Sequence, residues 1–74
     1  MKCLQTALAV VLYIGTVDSI DNGIVQAEVT ASDNKTHQLN IPTLLFPCEV
    51  EEQDMFYFIY TAETIEIRCG EPPV

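Results

Sequence analysis

The sequence predicts an all-β domain, either a small five-stranded SH3-like or OB-like barrel or a coiled meander, with one helical turn near residues 43–46. Five short apolar segments are separated by turn residues, and most of them alternate apolar with polar side chains. An Asn-Gly pair joins the first two segments. No segment leaves room for a long helix, so a short helix over residues 2–9 is the main exception that we consider.

Composition limits the chain to one small folded domain. It has 74 residues, of which 49% are hydrophobic, and a formal charge of −8. We place the domain at residues 1–70 and a loose tail at residues 71–74. The composition argues against disorder, which requires low hydrophobicity as well as high net charge. The cations Lys2, Lys35 and Arg68 are far apart in sequence, which argues against direct nucleic-acid binding.

The first two strands are predicted to form a hairpin. Leu8 to Ile20 is rich in β-branched and aromatic residues and leads into Asn22-Gly23, a pair that favours a type I′ turn. The return strand, Ile24 to Thr30, alternates so that one face is buried: Val25, Ala27 and Val29. Val17 and Ile20 are three residues apart and cannot share a face of a regular strand, which predicts a bulge near Asp18-Ser19.

The middle of the chain predicts a turn, a third strand and a helical turn. Residues 31–36 are polar, and their Asp and Asn side chains can bond to their own backbone. In residues 37–41, His37, Leu39 and Ile41 share one face. Pro42 ends this strand because it lacks a ladder donor. We expect Thr43 to cap the helical turn that follows, and the segment to plug one end of a barrel.

The last third predicts an acidic loop and two strands. Residues 49–54 contain four carboxylates. Met55 to Tyr60 is predicted to be a strand that is apolar on both faces. After a turn at Thr61 to Thr64, the segment from Ile65 to Cys69 alternates cleanly. We expect the side chains of Ile65, Ile67 and Cys69 to point inward.

The N-terminal segment has the outline of a short signal peptide, with Lys2 before the apolar run from Ala7 to Ile14. No A-x-A-like cleavage site follows this run, and it is too short to span a membrane. We therefore predict that Ala7 to Gly15 is a buried first strand, or a short helix leading into one, and that the protein is cytoplasmic. The alternative is an exported or membrane-anchored barrel, if residues 1–15 are a signal peptide.

The three cysteines, Cys3, Cys48 and Cys69, are odd in number and lack C-x-x-C spacing. This pattern disfavours a self-contained disulfide framework. A zinc site would also need His37, and its four ligands would come from four separate segments. We therefore expect Cys69 to be a small core residue and Cys48 to flank a turn, in a reducing compartment.

Three motifs in order resemble a bacterial family of very short uncharacterised domains. They are Val17-Asp18-Ser19-Ile20-Asp21, the run from Asn40 to Pro47, and the run from Val50 to Phe56. That family carries a V-D-R-I-E hairpin start, an I-P-x-x-L-L-P segment and a V-x-E-G-D turn. The resemblance covers about residues 13–59 and implies a small β-barrel with no known activity. Ser19, Phe46, Gln53 and the strand from Ile65 to Cys69 depart from the family pattern.

The sequence predicts a non-enzymatic protein-binding module without cofactor or metal. It contains no Gly-rich phosphate cradle and no G-x-S-x-G motif, and the acidic loop lacks the spacing of a calcium loop. Its acidic field favours a basic protein partner, and an aromatic patch could also serve a homodimer. The candidate partner-binding residues are Glu49, Glu51, Glu52, Asp54, Glu63, Glu66, Phe56, Phe58 and Tyr60. The alternative is a nucleic-acid-mimicking inhibitor, encoded by a phage or mobile element, that blocks a host nucleic-acid enzyme.

Overall fold

A computed structural model describes residues 10–61 and 64–72, which form one antiparallel sheet. The elements are β1 (Val10–Asp21), β2 (Ile24–Ala31), β3 (Thr36–Pro42), a 3₁₀ turn (Thr43–Leu45), β4 (Met55–Thr61) and β5 (Thr64–Cys69). The strand order is β3-β2-β1-β4-β5, so β1 is central and β3 and β5 are the edges. The all-β prediction is confirmed. Closure into a barrel is not, since no ladder joins β3 to β5 within the described residues. The helix considered for residues 2–9 falls outside them.

The β1–β2 hairpin forms as predicted. Asn22 and Gly23 both have positive φ, at 54° and 76°, which is the conformation that a type I′ turn requires. The predicted bulge is also confirmed, because the β1–β2 register shifts between Val17 and Ser19. The shift allows Val17 and Ile20 both to pack against the core. In β2 the burial alternates as expected, with Val25, Ala27 and Val29 buried.

The main core cluster lies on one side of the sheet, which we call the inner face, while Ile59 is buried on the other side of β4. The buried residues of the cluster are Val17, Val25, Ala27, Val29, Ile41, Phe46 and Phe56. Phe46, which follows the 3₁₀ turn, packs its ring edge-on against Phe56 with ring centroids 5.1 Å apart. The segment after β3 therefore covers one end of the inner face, although the barrel that it was expected to plug is not confirmed.

Two turns are held by short hydrogen bonds. Asp33 Oδ1 accepts a bond of 3.0 Å from the Lys35 backbone N–H, as predicted for the polar turn. The expectation that Thr43 caps the 3₁₀ turn is wrong. Pro42 occupies the cap position without a side-chain bond, and Thr43 contributes its carbonyl to the Phe46 N–H instead.

A disulfide joins Cys48 to Cys69 across 21 residues of sequence, with a Cα–Cα distance of 6.5 Å. The prediction that these two cysteines remain unpaired is therefore wrong. Cys69 is opposite Phe56 in the β4–β5 register. Phe46 packs on that same Phe56 ring, so Cys48, two residues further on, comes within reach of Cys69. The third cysteine, Cys3, lies outside the described residues.

Candidate protein-binding surface

An apolar groove crosses the inner face near the end of the sheet that carries the β2–β3 turn. We call it the inner groove, and its volume is about 540 Å³. All five strands contribute to it, through Leu12, Tyr13, Val29, His37, Gln38, Leu39, Phe58 and Ile65. The rings of Tyr13 and Phe58 meet edge-on, with centroids 6.1 Å apart, and form its aromatic part. His37 and Gln38 contribute polar groups to its lining.

The groove exists because the two edge strands leave inner-face side chains uncovered. Leu39 on β3 is 36% exposed and Ile65 on β5 is 60% exposed. Ile65 is opposite Tyr60 in the β4–β5 register, so its side chain points to the inner face as expected. It is nevertheless exposed there, whereas an inward side chain was expected to be buried. At the other end, Phe46 and Val50 pack against the core. The described residues place no equivalent cover over Leu39 and Ile65.

A second groove, which we call the edge groove, follows β5 and has a volume of about 620 Å³. Its walls are the segment after β3, one residue of β4 and the strand β5, contributing Leu44, Leu45, Phe46, Pro47, Phe58, Ile65, Glu66 and Ile67. Leu44 is 84% exposed. Phe58 and Ile65 line both grooves, so the two form one continuous apolar surface.

The structure separates the three aromatic candidates. Phe56 was predicted to contact a partner, but it is 0% exposed and belongs to the core, so a partner cannot reach it. Phe58 is half-buried and lines both grooves, while Tyr60 is 45% exposed on the same side of β4. Tyr13 was not among the predicted site residues. Its pairing with Phe58 across the β1–β4 ladder brings it into the groove, and that pairing depends on the strand order.

Most of the acidic candidates lie at the end of the sheet opposite the inner groove. Glu49, Glu51, Glu52 and Asp54 are exposed in the loop before β4. Asp54 Oδ2 accepts a hydrogen bond from the Glu51 N–H at 2.8 Å, and backbone bonds tie Gln53 and Asp54 to Val17. Among the described residues, no three His, Cys, Asp or Glu side chains are grouped to hold a metal ion.

The remaining acidic candidates are not part of this loop. Glu66 projects from the middle of β5, opposite Ile59, and forms an ion pair with Arg68 at 2.8 Å. Glu63 falls outside the described residues. The predicted carboxylates therefore do not form a single face in the part of the chain that the structure describes.

The chain matches no protein-family model, no curated protein and no solved structure. The resemblance of residues 13–59 to a family of short bacterial domains thus stays a prediction. No helix within residues 10–61 and 64–72 is long and apolar enough to cross a membrane.

Proposed function

We propose that this protein is a small, non-enzymatic binding module that acts as an adaptor or inhibitor by holding a protein partner on its inner face. The inner groove and the edge groove carry the proposal. Contiguous apolar surface of this kind commonly marks an interaction site in a soluble protein. Aromatic and aliphatic side chains around a cleft supply the buried contacts that dominate binding energy.

Charge defines the chemistry of the partner. The formal charge is −8, and of the two described cations Arg68 is already paired with Glu66. Such a field accelerates encounter with a basic protein and repels acidic ones. The groove itself is apolar, so we expect a partner segment with apolar side chains flanked by lysine or arginine. The acidic loop then steers the partner, while the groove holds it.

Capture from a host lysate with two matched variants tests this proposal. Leu39→Ser removes a groove side chain that is 36% exposed, and Ile24→Ser removes a side chain that is 37% exposed and does not line the groove. We expect Leu39→Ser to lose the partner and Ile24→Ser to retain it, because burial of a leucine contributes about 1.5 to 3 kcal/mol. Equal capture by both variants would contradict the groove as the binding site.

The salt dependence of the same capture separates this proposal from nucleic-acid mimicry. The acidic loop supports mimicry, but the separate position of Glu66 and its pairing with Arg68 weaken it. Apolar contacts persist at high salt, whereas binding by exposed carboxylates is screened. Retention of the partner at high salt supports the groove. Retention of a nucleic-acid enzyme at low salt only, insensitive to Leu39→Ser, supports mimicry instead.

The disulfide between Cys48 and Cys69 supports the exported alternative over the cytoplasmic one, because disulfides persist mainly in oxidising compartments. Removal of residues 1–15 would delete the part of β1 that pairs with Phe56 to Tyr60. We therefore expect the natural protein to contain this disulfide and to retain Val10. Intact-mass measurement after thiol blocking tests both points. Free Cys48 and Cys69 would contradict the oxidising compartment, and a chain lacking Val10 to Gly15 would contradict the role of β1.

A further inference from the structure

The edge strand β5 exposes a row of backbone hydrogen-bonding groups. The Gly70 N–H donates to the Met55 carbonyl at 2.8 Å, and the β4–β5 register then runs without a shift. In an antiparallel ladder, hydrogen-bonded and non-hydrogen-bonded pairs alternate. The even-numbered residues of β5 therefore bond to β4. The backbone groups of the odd-numbered residues point away from the sheet: Ile65, Ile67 and Cys69.

Nothing in β5 blocks the addition of another strand. Natural edge strands are usually protected by proline, by a bulge or by charged side chains, lysine above all. β5 contains no proline, lysine or bulge, and its two charged residues, Glu66 and Arg68, pair with each other. The other edge differs. The Thr43 N–H donates to the Gly23 carbonyl, so the odd-numbered residues of β3 form the backbone hydrogen bonds to β2. The backbone groups of the even-numbered residues, Pro42 among them, therefore point away from the sheet. Because proline has no N–H, it removes a donor from that edge. Of the two edges, β5 is thus the better one for pairing.

We infer that a second copy of this chain pairs along β5, with the two β5 strands antiparallel about a two-fold axis at Ile67. Residues whose backbone N–H and C=O point away from the sheet must lie opposite such residues of the other copy, because only these can form hydrogen bonds between the two strands. Only every second register is therefore allowed. With Ile67 opposite Ile67, Glu66 of each copy is opposite Arg68 of the other. A shift by two residues in either direction places Glu66 opposite Glu66, or Arg68 opposite Arg68. Charge therefore selects one register from the allowed set.

The charges of β5 explain why a chain this acidic would meet its own copy at this strand. Each copy has a formal charge of −8, so two copies repel one another over most of their surfaces. Glu66 and Arg68 form an ion pair within the strand, and their side chains are about half exposed. In the selected register they occupy non-hydrogen-bonded positions, where the two backbones approach most closely. Four charges of alternating sign then lie together at the interface.

The dimer also joins the apolar surfaces of the two copies. Residues directly opposite each other in an antiparallel pair share a face of the sheet. Ile67 of one copy contacts Ile67 of the other, and Ile65 of each copy lies opposite Cys69 of the other copy, beside its edge groove. Both inner faces therefore lie on the same side of one continuous sheet. The dimer presents two adjoining inner grooves, which would let it hold two partner segments at once.

Sedimentation of the full chain and its charge variants tests the dimer. We expect the wild type to dimerise and Arg68→Glu to raise the dimer dissociation constant by about tenfold or more, since it makes both cross-strand pairs repulsive. Lys35→Glu makes the same change in net charge within the β2–β3 turn and should dimerise like the wild type. The double variant Glu66→Arg/Arg68→Glu should dimerise again. An equimolar mixture of Glu66→Arg and Arg68→Glu should form the heterodimer.

Amide hydrogen exchange gives a second readout that needs no variant. In the dimer, the Ile65 and Ile67 amides should exchange much more slowly than in dilute monomer, while the Glu66 and Arg68 amides, bonded to β4, should change little. The sedimentation results that would overturn the inference are a wild type that stays monomeric at high concentration, an Arg68→Glu variant as dimeric as the wild type, or equal loss of dimer in Arg68→Glu and Lys35→Glu. Protected Ile65 and Ile67 amides in a monomer would show that the chain covers its own edge, which also overturns it.

Discussion

Replacing Gly15 by alanine is expected to lower the free energy of unfolding by about 3 kcal/mol, although it adds only one methyl group. Gly15 is in the central strand, opposite Phe56 on β4. A Cβ at this position would lie 2.7 and 2.8 Å from Phe56 Cε1 and Cε2, and closer still to Cζ. The Phe56 ring cannot move aside because it is fully buried and packs edge-on against Phe46 and Phe58.

Urea unfolding followed by circular dichroism measures this loss, and a second variant identifies its cause. Phe56→Leu alone should also destabilise the protein, because it leaves part of a buried aromatic site empty. Combined with Gly15→Ala, it should destabilise less than the sum of the two single changes, because the shorter side chain makes room for the new methyl group. Strict additivity would mean that Gly15 and Phe56 are not in contact.

Loss of the disulfide is expected to lower the free energy of unfolding by about 3 kcal/mol, according to the chain-entropy estimate for a loop of this size. The bridge ties the loop after Phe46 to the end of β5, next to the contact between the Phe46 ring and the Phe56 ring on β4. The double variant Cys48→Ser/Cys69→Ser should unfold at a lower urea concentration than the oxidised wild type.

A reducing agent provides the control for this prediction. Reduction should bring the wild type to the stability of the double serine variant and should leave that variant unchanged. If oxidised and reduced wild type unfold at the same urea concentration, the disulfide does not stabilise the fold.

The local features of the sheet could be predicted from the sequence because short-range chemistry determines them. Asn22-Gly23 specifies its turn by tolerating positive φ, and the spacing of Val17 and Ile20 requires the bulge between them. The burial of β2 follows from its strict alternation. In each case the decisive residues are neighbours in sequence, so the order of the strands does not affect the result.

The candidate binding surface could be predicted only in part, through Phe58, because it depends on which strands become neighbours. Phe56 and Phe58 are both phenylalanines on the same face of β4. Phe56 is nevertheless buried beneath Phe46, whereas Phe58 lines both grooves. Cys48 and Cys69 carry no local signal, since 21 residues separate them. Gly15 is the one sequence signal of the Phe56 packing, because a glycine within an apolar strand often marks the close approach of another group.

The affinity of the purified partner for Leu39→Ser and Ile24→Ser, measured by calorimetry at high salt, tests the inner groove most directly. The groove predicts that Leu39→Ser binds about tenfold more weakly than Ile24→Ser. It also predicts a negative heat-capacity change on binding, because apolar surface is buried. Equal dissociation constants for the two variants, or binding that disappears in salt irrespective of Leu39, would contradict the proposal that the inner face holds the partner.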